Sequence, residues 1–198
     1  MNLIDVYLLK SNLFSWFLSK YIPIVFILIV SVVVAVKMKK NNIKNTILKG
    51  AVMLGTSIIP VSSYLFFNPI YSGDLFKNGT QARTRIEFPK EKVLSIFVLP
   101  DCPFCHETIN IAQLLAERNP TISIRFLITG TQSDKAFKRI KSAQMIVRQN
   151  KEIDQTIYLT KGVFPTFVIS ENHKVVKRWT NNEFGVLALD EIEAFFNN

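Results

Sequence analysis

Hydrophobic positions follow two regimes along the chain. Up to about residue 70 they form unbroken runs, and beyond it they come as short β-branched stretches or recur at helical spacing. Tyr21 to Val36 is interrupted only by Pro23 and Ser31 and is followed at once by Lys37, Lys39 and Lys40. Sixteen residues rise only about 24 Å against a hydrocarbon layer of about 30 Å, so a membrane span must also draw on its N-terminal side. Leu18, Phe17 and Trp16 extend the run, with Trp16 and Tyr21 suited to the interface and Lys20 able to snorkel. A second run, 50–67, holds eighteen residues without a charge and tolerates Pro60 as a kink. The pattern predicts two transmembrane helices, over about 18–36 and 50–67, within a membrane region covering 1–70.

From residue 71 the pattern changes. Residues 71–86, with Gly73, Gly79 and mostly polar neighbours, read as a linker, and the soluble domain is expected over 87–198. Val93 to Leu99 has strand length and β-branched content, and Glu107 to Arg118 carries Ile109, Ile111, Ala112, Leu114 and Leu115 at helical spacing. Thr121 to Ile128 reads as a strand. A long helix is expected from Ser133 to Asn150, while Ile153 to Leu159 fits either helix or strand. Gly162 to Ile169 forms a strand entered by Pro165. The turn Glu171-Asn172-His173-Lys174 then makes a hairpin with Val175 to Trp179, and Gly185 to Phe196 closes as an amphipathic helix. Trp179 is expected in the core at the sheet edge.

Charge refines this division. The net charge is +9, of which the first 70 residues, with seven Lys and one Asp, supply +6. The basic excess thus marks membrane topology and argues against a nucleic-acid partner. The connection bearing Lys37, Lys39, Lys40, Lys44 and Lys49 belongs on the cytoplasmic side, which puts both flanks, and the domain after Asn68, outside. A cleaved signal peptide is disfavoured because the charges follow the first apolar run and no small-x-small site follows either run. Lys135, Lys138, Arg139, Lys141, Arg148 and Lys151 read as a solvated helix face.

The chain has two cysteines, in Leu99-Pro100-Asp101-Cys102-Pro103-Phe104-Cys105-His106, where strand hands over to helix. Unpaired N–H groups and the helix dipole favour an anion there, and cysteines so placed have pKa values of roughly 3.5–7.5 instead of about 8.5. Pro103 suits the first helical turn. Cys102 is the expected nucleophile and Cys105, one turn deeper, the resolving thiol. A structural disulfide closing so short a loop would add little stability. A zinc site lacks ligands, since only His106 and His173 could join the pair. Covalent haem is the serious rival, because Cys102-Pro103-Phe104-Cys105-His106 also fits C-x-x-C-H, with His106 as one axial ligand and Met145 or His173 as the other.

The order β–α–β–α–β–β–α, with the cysteine pair at the first handover and Phe164-Pro165-Thr166 entering the third strand, resembles the thioredoxin family over about 87–198. The layout is closer to its membrane-anchored, extracytoplasmic members. The resemblance implies an α/β, thioredoxin-like fold, a central mixed sheet flanked by helices, preceded by the two transmembrane helices. It implies a cis Pro165 beside the cysteines, a Phe164 backbone that hydrogen-bonds the substrate strand, and Pro103, His106 and Thr166 as neighbours of the site. Phe104 would be an exposed apolar contact for partners. The activity implied is thiol–disulfide exchange with extracytoplasmic protein thiols or disulfides at a bacterial inner membrane. No cofactor is needed beyond the redox-active Cys102–Cys105 pair, and a separate redox partner resets it. A non-catalytic binding module is the alternative of another class. Two departures stand out. The strand before the cysteines offers Ser95 where the family carries a buried acid, leaving only Asp101 and Glu107 nearby, and the intervening Pro-Phe is closest to the Pro-Tyr of glutaredoxins. The same residues serve reduction or oxidation, which differ by a potential in which about 30 mV equals roughly 1.4 kcal/mol.

Overall fold

The computed structural model describes residues 9, 14–39, 46–82, 84, 86–100, 102–130, 145–150 and 153–198. They fall into two compact units, Met1–Ile70 and Tyr71–Asn198.

In the first unit, helix α1 (Trp16–Lys39) packs against helix α2 (Thr46–Phe67). Trp16–Val34 is long and apolar enough to cross a membrane, and Val25, Phe26, Ile29 and Val32 point their side chains outward. Such a run of exposed apolar side chains suits lipid, where no water penalises it. In α2 the described apolar stretch is the shorter Ile58–Phe67. Trp16, expected at the interface, is instead buried within the unit.

The second unit is built on a five-stranded sheet in the order β3-β2-β1-β4-β5. Strands β1 (Val93–Val98), β2 (Ile124–Thr129) and β3 (Ile146–Asn150) are parallel, and β4 (Thr166–Glu171) and β5 (Lys174–Thr180) complete it antiparallel. β1 is central and every one of its residues is buried, as expected of a strand covered on both faces. One face presents Phe97, Leu127 and Val168, which pack with Leu159 and Phe88. Leu159 comes from helix α5 (Ile153–Thr160), the segment whose sequence fitted two structures. The opposite face is left to α4 (Pro103–Arg118) and α6 (Val186–Asn197), which bury apolar stripes and are joined by the Arg118–Glu193 ion pair at 2.8 Å. Phe167, from this face, stacks on Phe184 at the entry to α6. This is the thioredoxin-like arrangement, a mixed sheet flanked by helices.

Two sequence expectations are corrected. The helix expected over Ser133 to Asn150 does not extend to its predicted end, because Ile146–Asn150 is an edge strand paired along β2. Residues 131–144, with most of the basic tract, lie outside the described residues; Arg148 is on β3. Ile146 and Val147 are β-branched, and a half-exposed edge strand has too weak an alternation to compete with an adjoining helical period.

The second correction concerns 71–86, which is integrated into the domain instead of linking to it. Its short helix α3 (Ser72–Leu75) places Asp74, 2% exposed, where Oδ2 accepts the Tyr71 N–H at 2.9 Å and Oδ1 accepts the Val186 N–H at 3.0 Å. One carboxylate thus caps the start of α3 and the first turn of α6. Gly73 lies against the Gly185 backbone, so closely that a Cβ on Gly73 would stand 2.5 Å from the Glu183 carbonyl oxygen. Farther along, the Asn78 carbonyl accepts the Trp179 Nε1–H at 2.8 Å, and Thr80 exchanges both backbone hydrogen bonds with Arg178 at 2.9 Å. Gly79, at φ +110, lies under the Trp179 ring where a side chain would not fit. Glycine and polar residues, read as flexibility in the sequence, here permit close approach.

Asp74→Ala removes the acceptor for two partly buried N–H groups and should cost about 1–2 kcal/mol. Urea unfolding of the full chain in detergent measures it, against Glu87→Ala, an exposed carboxylate, which should stay within about 0.5 kcal/mol of wild type. Equal effects for the two would show that Asp74 is not a cap.

Candidate active site

β1 ends at Val98 and α4 begins at Pro103, so the segment between them must turn within four residues at the C-terminal edge of the parallel strands. Cys102 occupies the N-cap of α4 with extended backbone, φ −81 and ψ 117, and Pro103 fills the first helical position, where no N–H is needed. The Cys102 Sγ accepts the Cys105 N–H at 3.3 Å, taking the place of the oxygen that an N-cap side chain ordinarily supplies. A backbone donor and the positive end of a 16-residue helix therefore both point at this sulfur.

The facing wall comes from a distant part of the sequence. The Phe164–Pro165 bond is cis, and the Phe164 carbonyl lies 4.0 Å from Cys102 Sγ, at the reach of an S–H donor. Thr166 follows as the first residue of β4, pairs with Phe97 of β1, and donates its hydroxyl to the Val163 carbonyl at 2.6 Å. Pairing β4 with β1 thus carries the proline loop to the end of β1 where the cysteines sit. Cys102 is half-buried, Cys105 is 4% exposed, and both are free thiols. Pro103 is exposed, and Phe104, 61% exposed, projects from the first turn. Of the expected site residues, Cys102, Cys105, Phe164, Pro165 and Thr166 are brought together. His106 lies on the same turn, half-buried, with no hydrogen bond to either sulfur among the described residues.

Burial pushes the Cys105 thiol well above its ordinary value of 9.0, and its interaction with Cys102 adds to the rise. The two thiols are therefore inequivalent. The outer one caps the helix N-terminus by accepting the Cys105 N–H, and the inner one is buried and holds its proton more tightly than an ordinary thiol. Ser95, the sequence's only polar residue on β1, is fully buried and its Oγ accepts from Arg125 NH2 at 3.1 Å. Ser95 shares the sheet face of Phe97 and Val168, opposite α4, so this buried hydroxyl does not stand beside the cysteines. Asp101 lies outside the described residues, and Glu107 is exposed.

Sequence reasoning passed over two side chains, Arg125 and Arg178, 7% and 4% exposed. Ser95 pairs with Arg125 and with Val168, and Val168 pairs with Arg178, so both arginines stand in one cross-strand row on one face. The signal was available: alternation along Ile124-Arg125-Phe126 and Arg178-Trp179-Thr180 puts each arginine on a buried face.

The proposed second axial ligands for haem are misplaced. His173 sits in the β4–β5 turn, with Nδ1 2.8 Å from the Phe88 carbonyl, beside the residues that precede β1. Met145 precedes β3, which runs parallel to β1. Both lie at the opposite end of the sheet from Cys102. Among the described residues no three His, Cys, Asp or Glu groups cluster as metal ligands.

No family model and no curated protein matches this sequence. Solved structures do resemble the domain. One is a Chlorobium tepidum protein bearing the name of the thiol:disulfide interchange protein DsbE, with TM-score 0.48 and 13% identity, matching 61% of this chain and 100% of that one. Another is a secreted disulfide oxidoreductase of Mycobacterium tuberculosis, with TM-score 0.40 and 15% identity, matching 54% and 82%. StoA of Bacillus subtilis gives TM-score 0.39 and 15% identity over 60% and 98%. Two of these three structures are named for disulfide chemistry.

The buried Cys105 makes the stability of the reduced protein pH-dependent, and the sign follows from its raised pKa. Below the ordinary thiol value folded and unfolded chains both hold the proton. Above 9.0 the unfolded chain releases it while the folded chain keeps it, so stability falls as pH rises. The melting temperature of the reduced wild type should therefore drop more between pH 8 and pH 10 than that of Cys105→Ala, values of about one unit either side of the thiol range. Parallel curves would contradict the buried-thiol account.

Proposed function

We propose that this chain is a membrane-tethered thiol–disulfide oxidoreductase that exchanges disulfides with extracytoplasmic proteins through Cys102 and Cys105. The observation that supports it most is the placement of Cys102 Sγ between the Cys105 N–H and the carbonyl of Phe164, the residue before a cis proline.

In the reducing direction the Cys102 thiolate attacks one sulfur of a substrate disulfide. A Cys102–substrate disulfide forms and the substrate's other sulfur leaves as a thiolate. Cys105 then loses its proton and attacks Cys102 Sγ, which releases the second substrate thiol and leaves the Cys102–Cys105 disulfide, two electrons poorer. Oxidation of a substrate runs the same steps in reverse. The helix N-terminus lowers the cost of charge on Cys102 at the moment it attacks or leaves, and burial keeps Cys105 silent until a mixed disulfide approaches it. The backbone of half-buried Phe164, before Pro165, offers an extended segment its hydrogen bonds, while the exposed Phe104 offers apolar contact. The redox-active pair is the prosthetic element of this scheme, and a separate redox partner restores it.

Two transmembrane helices, about 18–36 and 50–67, tether the domain. Trp16–Val34 supports the first, and the uncharged 50–67 run of α2 supports the second. With the lysine-rich connection inside, the domain faces the periplasm or exterior of a bacterial cytoplasmic membrane.

Cys105→Ser should accumulate mixed disulfides on Cys102 that vanish on reduction, resolved as slower bands on non-reducing gels, whereas Cys102→Ser should form none. If Cys105→Ser captures no extracytoplasmic protein, exchange is not the function. Orientation is read separately: an impermeant maleimide should label Cys102 in intact, reduced cells or spheroplasts, and labelling only after lysis would place the domain inside.

A further inference from the structure

The loop that faces Cys102 hangs from the end of α5. The Gly162 N–H bonds to the Ile157 carbonyl at 3.2 Å and the Val163 N–H to the Thr160 carbonyl at 3.1 Å, so Lys161 to Val163 are built on the last turn of that helix. Phe164 follows and packs on the cluster that contains the fully buried Leu159. Where α5 ends therefore decides where the Phe164 carbonyl lies.

A helix of this length leaves its last four carbonyls without helical partners. One of them, that of Leu159, is buried and accepts from Arg178 NH1 at 2.7 Å. The guanidinium's NH2 donates to Thr80 Oγ1, also at 2.7 Å, and the backbone N–H and carbonyl of Arg178 both pair with Thr80. Arg178 is thus held from one side by residues 78–80 of the arm and holds, from the other, the carbonyl end of α5. A cation there is also favoured by the helix dipole. Its Nε is buried without a partner among the described residues, so two short bonds fix this side chain, and losing either acceptor leaves another buried donor unpaired. The arm's own hold on β5 rests on the Trp179–Asn78 bond and on Gly79, where the Trp179 ring leaves no room for a side chain.

We propose that Arg178 is a positioning residue that couples the Asn78-Gly79-Thr80 clasp to the Phe164–Pro165 loop, so that the arm sets how well a polypeptide substrate is held against Cys102. The inference rests on the exchange reading above. It adds a part of the site that no cysteine marks: the substrates it affects are those that lay an extended backbone along the loop, and a small disulfide that needs only the sulfur of Cys102 depends on it far less.

The test uses the full chain in detergent and two substrates: insulin, with dithiothreitol as reductant and the uncatalysed rate subtracted, and the small aromatic disulfide 5,5′-dithiobis(2-nitrobenzoate), mixed with pre-reduced protein freed of other reductant, whose second-order rate constant stands as its kcat/KM. Arg178→Met should raise KM for insulin about tenfold with kcat altered by less than about threefold, and lower the insulin-to-small-disulfide ratio of kcat/KM about tenfold. Arg178→Lys, which keeps a donor near the Leu159 carbonyl, should recover most of that ratio. Thr80→Val, an exposed site that leaves the arginine in place, should shift it in the same direction by about threefold. A ratio unchanged in both Arg178→Met and Thr80→Val overturns the coupling, as does a uniform loss on both substrates, which would mark Arg178 as merely structural. Should Arg178→Met fail to fold, Thr80→Val decides alone. Failure of the exchange reading looks different: the wild type would then turn over neither substrate, or Cys102→Ser would match it.

Discussion

A helix N-terminus presents backbone N–H groups that nothing inside the helix can satisfy, and in this domain a sulfur atom answers one of them. Most of the architecture keeps Cys102 in that position. β1, buried along its whole length, delivers the chain to the edge of the sheet. Pro103 starts α4 without requiring a donor of its own, and the apolar stripe of α4 fixes the helix against the sheet. β4, pairing antiparallel with β1, brings the Phe164 carbonyl to the other side of the same sulfur. In the proposed exchange such a cap residue would need little movement to react, because the donor that completes the helix already points at its sulfur.

The second thiol is governed by the opposite influence. Cys105 lies one turn farther in, where desolvation outweighs its hydrogen bonds and raises its pKa. In the proposed exchange, resolution of a mixed disulfide would therefore wait on removal of a proton from a buried sulfur. The buried polar row of this sheet, Ser95 bound by Arg125 and Arg178 two strands away, lies on the face opposite α4. Arg125 is itself penalised, first by burial and then by the like charge of Arg148. None of these groups is a carboxylate, and none stands on the side of the sheet that carries the cysteines' helix.

The cysteine pair, its strand-to-helix setting, the proline loop and the closing hairpin were legible because each depends on residues adjacent in sequence. Val93 to Leu99 is a continuous apolar run, and Pro103 and Pro165 constrain the backbone at their own positions. β3 was not legible: among the described residues Ile146 to Asn150 pairs through its backbone on one side only, and its side chains are mostly exposed, so its hydropathy does not separate it from the segment before it. The buried arginines escaped for a related reason. Charge suggests a surface, and only the pairing register shows that Arg125 and Arg178 share an inner face.

The arm shows most clearly that composition marks flexibility and not domain limits. Residues 71–80 contribute few apolar side chains, yet they satisfy groups that would otherwise be orphaned: the Val186 N–H, the Trp179 indole N–H, and one arm of the Arg178 guanidinium. Each such group left unpaired in the interior would cost about 1–3 kcal/mol, and the β5 edge would lose its only bridge among the described residues. Against a total stability that for most domains is about 5–15 kcal/mol, three such losses are decisive. A fragment beginning at Glu87 would keep every residue of the cysteine site and lack what fixes β5 and, through Arg178, the end of α5. The boundary of this domain is set by where its buried donors find acceptors, and that lies at Tyr71.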